Sequence, residues 1–189
     1  MGKKVVITGV PGVGKTTVIN QAISELASEG VEYQNINFGS CMFEVASGQG
    51  IVESRDEMRK IEQVKQRELQ RNAAQFIAVT GGNVIIDTHC TVKTPKGYLA
   101  GLPEWVLKEL MPDTFILVET DEDQILMRRM GDETRVRDAE GYRALCEHQQ
   151  FNRSMAASYA MLTGCTVKII VNADNLLDRS VEELKEILR

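Results

Sequence analysis

Gly9-Val10-Pro11-Gly12-Val13-Gly14-Lys15-Thr16 fits the pattern G-x-x-x-x-G-K-[ST] without a mismatch, the pattern of a phosphate-binding P-loop. Its flanks are those the loop requires. Lys4-Val5-Val6-Ile7-Thr8 reads as a buried strand before it, and Thr17-Val18-Ile19-Asn20-Gln21-Ala22-Ile23 as a helix after it. Glycines let the backbone turn its N–H groups onto phosphate oxygens, and the following helix points its positive end at the same charge. In such a loop the lysine, here Lys15, reaches the β- and γ-phosphates, and the hydroxyl of Thr16 holds Mg2+.

Outward from the loop, apolar runs alternate with helical segments. Further strands are expected over 33–37, 84–87, 115–119 and 167–171. Val84-Ile85-Ile86 and Phe115-Ile116-Leu117-Val118 are continuous apolar runs, as strands buried on both faces require. Helices are expected over 15–28, 40–48, 55–80, 103–110, 121–130, 139–162 and 180–188. Ser180-x-x-Glu183 reads as a capping box and Asp121-x-x-Gln124 as a related start, while Gly30 and Gly131 suit helix ends. The alternation predicts a three-layer α/β P-loop fold, a five-stranded parallel sheet flanked by helices. Residues 38–82 form a mostly helical insertion, and 88–102 reads as a functional loop with turn signals at Thr94-Pro95-Lys96-Gly97 and Gly101-Leu102-Pro103.

The 189 residues suit one domain spanning 1–189. A 43% hydrophobic and 26% charged composition is that of a globular protein. The net charge of −5 argues against sequence-independent nucleic-acid binding. Cys41, Cys90, Cys146 and Cys165 form no C-x-x-C pair, which suits reduced thiols rather than a zinc ribbon or redox site. The first residues enter a strand directly, and no apolar run is long enough for a signal-peptide core or a membrane span, so the expected location is the cytoplasm.

Asp87 ends an apolar strand, where the metal-holding carboxylate of P-loop proteins sits, direct or through water. Arg128, Arg129, Arg135 and Arg137 fall within ten residues. Arginine suits phosphoryl transfer because its planar fork grips phosphate and keeps its proton. Arg128 and Arg129 point in different directions on a helix, so only one is expected to serve phosphate. Arg55 and Arg59, four apart on the expected helix, share a face and suit a second phosphate. His89 reads as a supporting residue, and the helical methionines, Met127, Met130 and Met161 among them, as core filler.

Five segments together resemble the archaeal-type adenylate kinases: the P-loop with its strand; Asn37-Phe38-Gly39 with Met42; Arg55-Asp56-Glu57-Met58-Arg59-Lys60; Asp87-Thr88-His89 with Thr94-Pro95-Lys96-Gly97-Tyr98-Leu99-Ala100-Gly101-Leu102-Pro103; and the run from Arg128 to Arg137. The resemblance implies reversible transfer, ATP + AMP ⇌ 2 ADP, with Mg2+ as cofactor. It implies that Gly9, Val10, Pro11, Gly12, Val13, Gly14, Lys15, Thr16 and Thr17 bind ATP. The insertion 38–82 would bind AMP through Arg59 and Arg55, and residues 131–138 would form a short lid. Lys15, Arg128, Arg135 and Arg137 would be catalytic, and Thr16 and Asp87 would hold the metal. Neither nucleic acid nor a membrane is an implied partner; a homo-oligomer, a trimer, is. The bacterial Asp-Gly-Phe-Pro-Arg motif is absent, Asp87-Thr88-His89-Cys90-Thr91 standing in its place, so a second arginine for the AMP phosphate is unassigned. Alternatives are a kinase for UMP, CMP or another acceptor, and an adenylate kinase-like protein in RNA processing. A regulatory GTPase would need Asp-x-x-Gly and Asn-Lys-x-Asp, which Asp87-Thr88-His89-Cys90 and Val171-Asn172-Ala173-Asp174 do not match.

Overall fold

A computed structural model describes residues 2–130 and 141–189, with the backbone but not the side chain of Arg59. Arg135, Arg137, Gly131 and the expected lid 131–138 lie outside the described residues.

Strands β1 (Lys4–Thr8), β2 (Tyr33–Asn37), β3 (Asn83–Asp87), β6 (Thr114–Glu119) and β7 (Thr166–Val171) form one parallel sheet in the order β2-β3-β1-β6-β7. The alternation of side chains along β1 sorts the core into two layers. Val5 and Ile7 face helices α1 (Lys15–Ser28) and α7 (Leu177–Leu188), packing with Val18, Ile19, Leu26, Val181 and Leu184. Val6 faces the other way, onto Ala73 and Ile77 of α3 (Gln63–Val79), Val106 and Leu107 of α4 (Glu104–Leu110), and Tyr159 of α6 (Tyr142–Thr163). Burial on both faces is why these strands read as unbroken apolar runs. Helices α2 (Phe38–Gly48) and α5 (Glu122–Met130) complete the described set.

The structure corrects four expectations. The helix expected over 55–80 is broken. Residues 54–56 turn, Glu57–Lys60 is one 3₁₀ turn, Ile61 is extended, and α3 starts only at Gln63. Arg55 and Arg59 therefore do not share a helix face. The break lets Val52, Met58 and Ile61 join a satellite core with Ala46 and Leu69, while the Glu57 carboxylate accepts from the Glu53 N–H at 2.8 Å. Second, 88–102 is not all loop: β4 (Thr91–Thr94) and β5 (Gly97–Ala100) pair as an antiparallel hairpin around Pro95-Lys96. Third, Ser180 lies inside α7 and caps nothing; its hydroxyl donates to the Val171 and Leu176 carbonyls at 3.0 and 3.3 Å. Fourth, Met127, Met130 and Met161 are exposed rather than core filler.

Candidate active site

The P-loop leaves the C-terminal end of β1, where ligands of open α/β sheets gather. Gly14 is the N-cap of α1 at φ +82°, a left-handed conformation that costs other residues dearly. No side chain caps this helix start. Its first N–H groups therefore remain for an anion. Gly9 is needed for space: a Cβ there would overlap the Val118 carbonyl oxygen of the neighbouring strand.

Lys15 turns back beneath the loop and pairs with Asp87 at the end of β3. The β1–β3 register sets this pair, since Ile7 lies beside Asp87. Both side chains are close to 12% exposed. Burial pushes the Lys15 ammonium down to about 8, and the Asp87 carboxylate opposes that shift by favouring the charged form. Thr16 and Thr17 are exposed on the first turn of α1. His89 is exposed two residues after Asp87.

Arg128, expected to be catalytic, is anchored by the protein's own acceptors. Its Nε and Nη2 donate to Asp174 at 2.9 and 2.5 Å, Nη2 also to the Asn172 carbonyl at 3.0 Å, and Nη1 to the Val13 carbonyl at 3.1 Å. Arg55 donates to the Ser40 hydroxyl at 2.7 Å, and its guanidinium lies 5.6 Å from the Phe43 ring centroid. It is thus docked on α2, whose start is capped by Asn37 accepting from the Ser40 N–H at 3.0 Å. The backbone of Arg59 lies in the adjoining 3₁₀ turn.

Several buried polar residues escaped the sequence reading. Glu119 ends β6 and accepts from Arg153 Nε at 3.0 Å through each oxygen. The Thr91 hydroxyl donates to Asn152 Oδ1 at 2.6 Å and lies 3.1 Å from His148 Nε2, tying the hairpin to α6. The Tyr159 hydroxyl donates to the Cys90 carbonyl at 2.9 Å and accepts from the Leu102 N–H at 3.4 Å. No local pattern announces these contacts, because each joins residues 34 to 69 positions apart. Tyr159→Phe leaves the Leu102 N–H without its acceptor and the Cys90 carbonyl with the Gly101 N–H as its remaining donor, and urea unfolding should show a loss of about 1–2 kcal/mol. An unchanged midpoint would mean the hydroxyl contributes nothing to holding the hairpin.

Among the described residues no cluster of three or more His, Cys, Asp or Glu side chains is placed to hold a metal alone. No described helix is long and apolar enough to cross a membrane.

A strand, a glycine-rich turn and a helix over a buried Lys–Asp pair, on a sheet of this order, define a P-loop kinase-type fold. Shikimate kinase from Bacteroides thetaiotaomicron has the same fold, with a TM-score of 0.55 and 17% identity over 98% of each chain. So does a gluconokinase from Sinorhizobium meliloti 1021, at 0.52 and 14% over 98% of this chain and 91% of that one. The sequence is 62% identical to the adenylate kinase of Methanoculleus marisnigri over all of both chains. It is 55% identical to that of Methanocaldococcus jannaschii over 99% of this chain and 98% of the relative. The chain belongs to the adenylate kinase family, and over residues 8–145 it matches the family model described as an AAA domain.

Proposed function

We propose that this protein catalyses ATP + AMP ⇌ 2 ADP. The observation that carries phosphoryl transfer is the buried Lys15–Asp87 pair beneath an uncapped helix start. The full-length relatives named adenylate kinase support AMP as the acceptor.

An oxygen of the AMP phosphate attacks the γ-phosphorus of ATP. The bond from that phosphorus to the bridging β–γ oxygen breaks, and the electron pair leaves with the ADP product. The attacking oxygen is already ionised, so no strong general base is needed and catalysis is chiefly positioning and charge stabilisation. The backbone N–H groups of the loop from Gly9 to Thr17, Pro11 excepted, hold the donor phosphates. Lys15 leaves Asp87 for the β- and γ-oxygens, its ammonium favoured there by the added negative charge. Arg59 and Arg55 meet the AMP phosphate, and Arg135 and Arg137 the transferring group. Arg128 acts through the loop it grips.

The residues also fit Mg2+. Thr16 and Asp87 offer hard oxygen donors beside the phosphate cradle, and the lack of a three-acid cluster among the described residues suits an ion that keeps most of its shell as phosphate oxygens and water. When bound it neutralises charge on the β- and γ-phosphates.

The test is a coupled assay of the purified protein with Mg-ATP and, separately, AMP, CMP, UMP and GMP. Fast ADP formation with AMP, reversible from ADP alone, is the expected result. Turnover only with another monophosphate would overturn the acceptor assignment.

A further inference from the structure

The last turn of helix α5 carries two arginines, and both reach the P-loop backbone. Arg129 donates through Nε to the Pro11 carbonyl at 2.8 Å. Arg128 donates to the Val13 carbonyl at 3.1 Å, where Asn172 Nδ2 also donates at 2.8 Å. Arg129 is also packed on the tip itself. A Cβ on Gly12 would lie 3.3 Å from its Cγ and Nε, and 3.0 Å from Ile125 Cγ2. Gly12 itself sits at φ +103°.

We propose that Arg129 is a positioning residue for the donor nucleotide: by holding the Pro11 carbonyl it aims the Gly12 N–H into the phosphate cradle. The argument is geometric. A trans peptide unit is planar, and its C=O and N–H point in opposite directions. Fixing the Pro11 carbonyl on α5 therefore fixes the Gly12 N–H on the opposite side of the same plane. Val13 repeats the device two residues further on, where Arg128 and Asn172 hold its carbonyl and so orient the Gly14 N–H. Proline makes the first of these holds the more important. Pro11 has no N–H of its own, so at the loop tip the Gly12 N–H is the donor that can be aimed. An oriented donor costs nothing to reorganise when phosphate arrives. Arg129 acts through this backbone and touches no phosphate itself.

The inference rests on ATP as donor, but not on the identity of the acceptor, so its test is read on ATP binding alone. Arg129→Met keeps an apolar stem over Gly12 and removes the donor; Arg129→Lys keeps a donor. In the full-length protein, calorimetry with Mg-ATP should show Kd about tenfold weaker for the methionine variant. KM for ATP should rise with it, KM for AMP should stay unchanged, and amide exchange at Gly12 should quicken. The lysine variant should recover most of the loss. A merely structural role would weaken both substrates together or neither. A folded methionine variant with unchanged ATP affinity and unchanged Gly12 exchange would overturn the proposal, as would equal losses at both substrates. Should the unaltered protein bind ATP yet leave AMP unphosphorylated, the acceptor reading fails while the Arg129 result still stands.

Discussion

Lys15→Met should lower kcat/KM by about a thousandfold and also destabilise the fold; adding Asp87→Asn should restore the stability and none of the activity. The two effects share a side chain but not a cause. Activity falls because the ammonium is the loop's own cation for the β- and γ-oxygens. Stability falls because methionine leaves the Asp87 carboxylate some 12% exposed and without its charge partner. Removing one member of such a pair costs up to about 3 kcal/mol. In the double variant an uncharged amide replaces the Asp87 carboxylate, so no charge is left unpaired. Urea unfolding and the coupled assay on both variants separate the effects. Turnover that survives Lys15→Met would show that this loop does not hold the donor. A double variant as unstable as the single one would show that Asp87 is not the group the lysine neutralises.

What the sequence made legible is what short stretches encode by themselves. The P-loop, the strand ends at Thr8 and Asp87, and the apolar runs of β1, β3 and β6 are local patterns, and the parallel sheet follows from their alternation with helices. The hairpin of β4 and β5 was not legible. Thr91-Val92-Lys93-Thr94 holds a single apolar residue, Val92, and Pro95-Lys96 lacks the Asn-Gly or Asp-Gly signature of a tight hairpin turn. Its strands are held instead by α6, through Thr91, Asn152 and His148. The break after Arg55 has the same origin. The charge spacing there suits a helix, and only the tertiary contacts of Val52, Met58 and Ile61 decide otherwise. Ser180-x-x-Glu183 misled because a serine inside a helix can donate to the carbonyl four residues back as readily as it can cap. The contact of Arg129 is illegible for a related reason. Spacing on a helix tells which way a side chain points, not that a loop 118 residues earlier offers a carbonyl there.

The second large effect is expected at Gly101, where the hairpin leaves for α4. Gly101 donates its N–H to the Cys90 carbonyl at 2.8 Å, extending the pairing past β5. A Cβ added to it would overlap the His89 carbonyl oxygen, and would lie 2.7 Å from the His89 carbonyl carbon and 2.8 Å from the Cys90 oxygen. All of these are main-chain atoms, so no rotamer change can relieve the overlap, and one of the two segments must move. The neighbours leave little room: Cys90 and Leu102 are buried in the core layer under β3, and Tyr159 ties one to the other. Gly101→Ala should therefore destabilise by about 3 kcal/mol or more, in the range of severe overpacking. Displacement of residues 88–90 would also reach Asp87 and, through it, Lys15, so kcat should fall even in the fraction that folds. Urea unfolding measures the first effect, and single-turnover transfer on the folded fraction the second. An alanine variant of ordinary stability would mean that the chain can cross itself at this point without a glycine. The Gly101-Leu102-Pro103 segment would then owe its sequence to the turn alone.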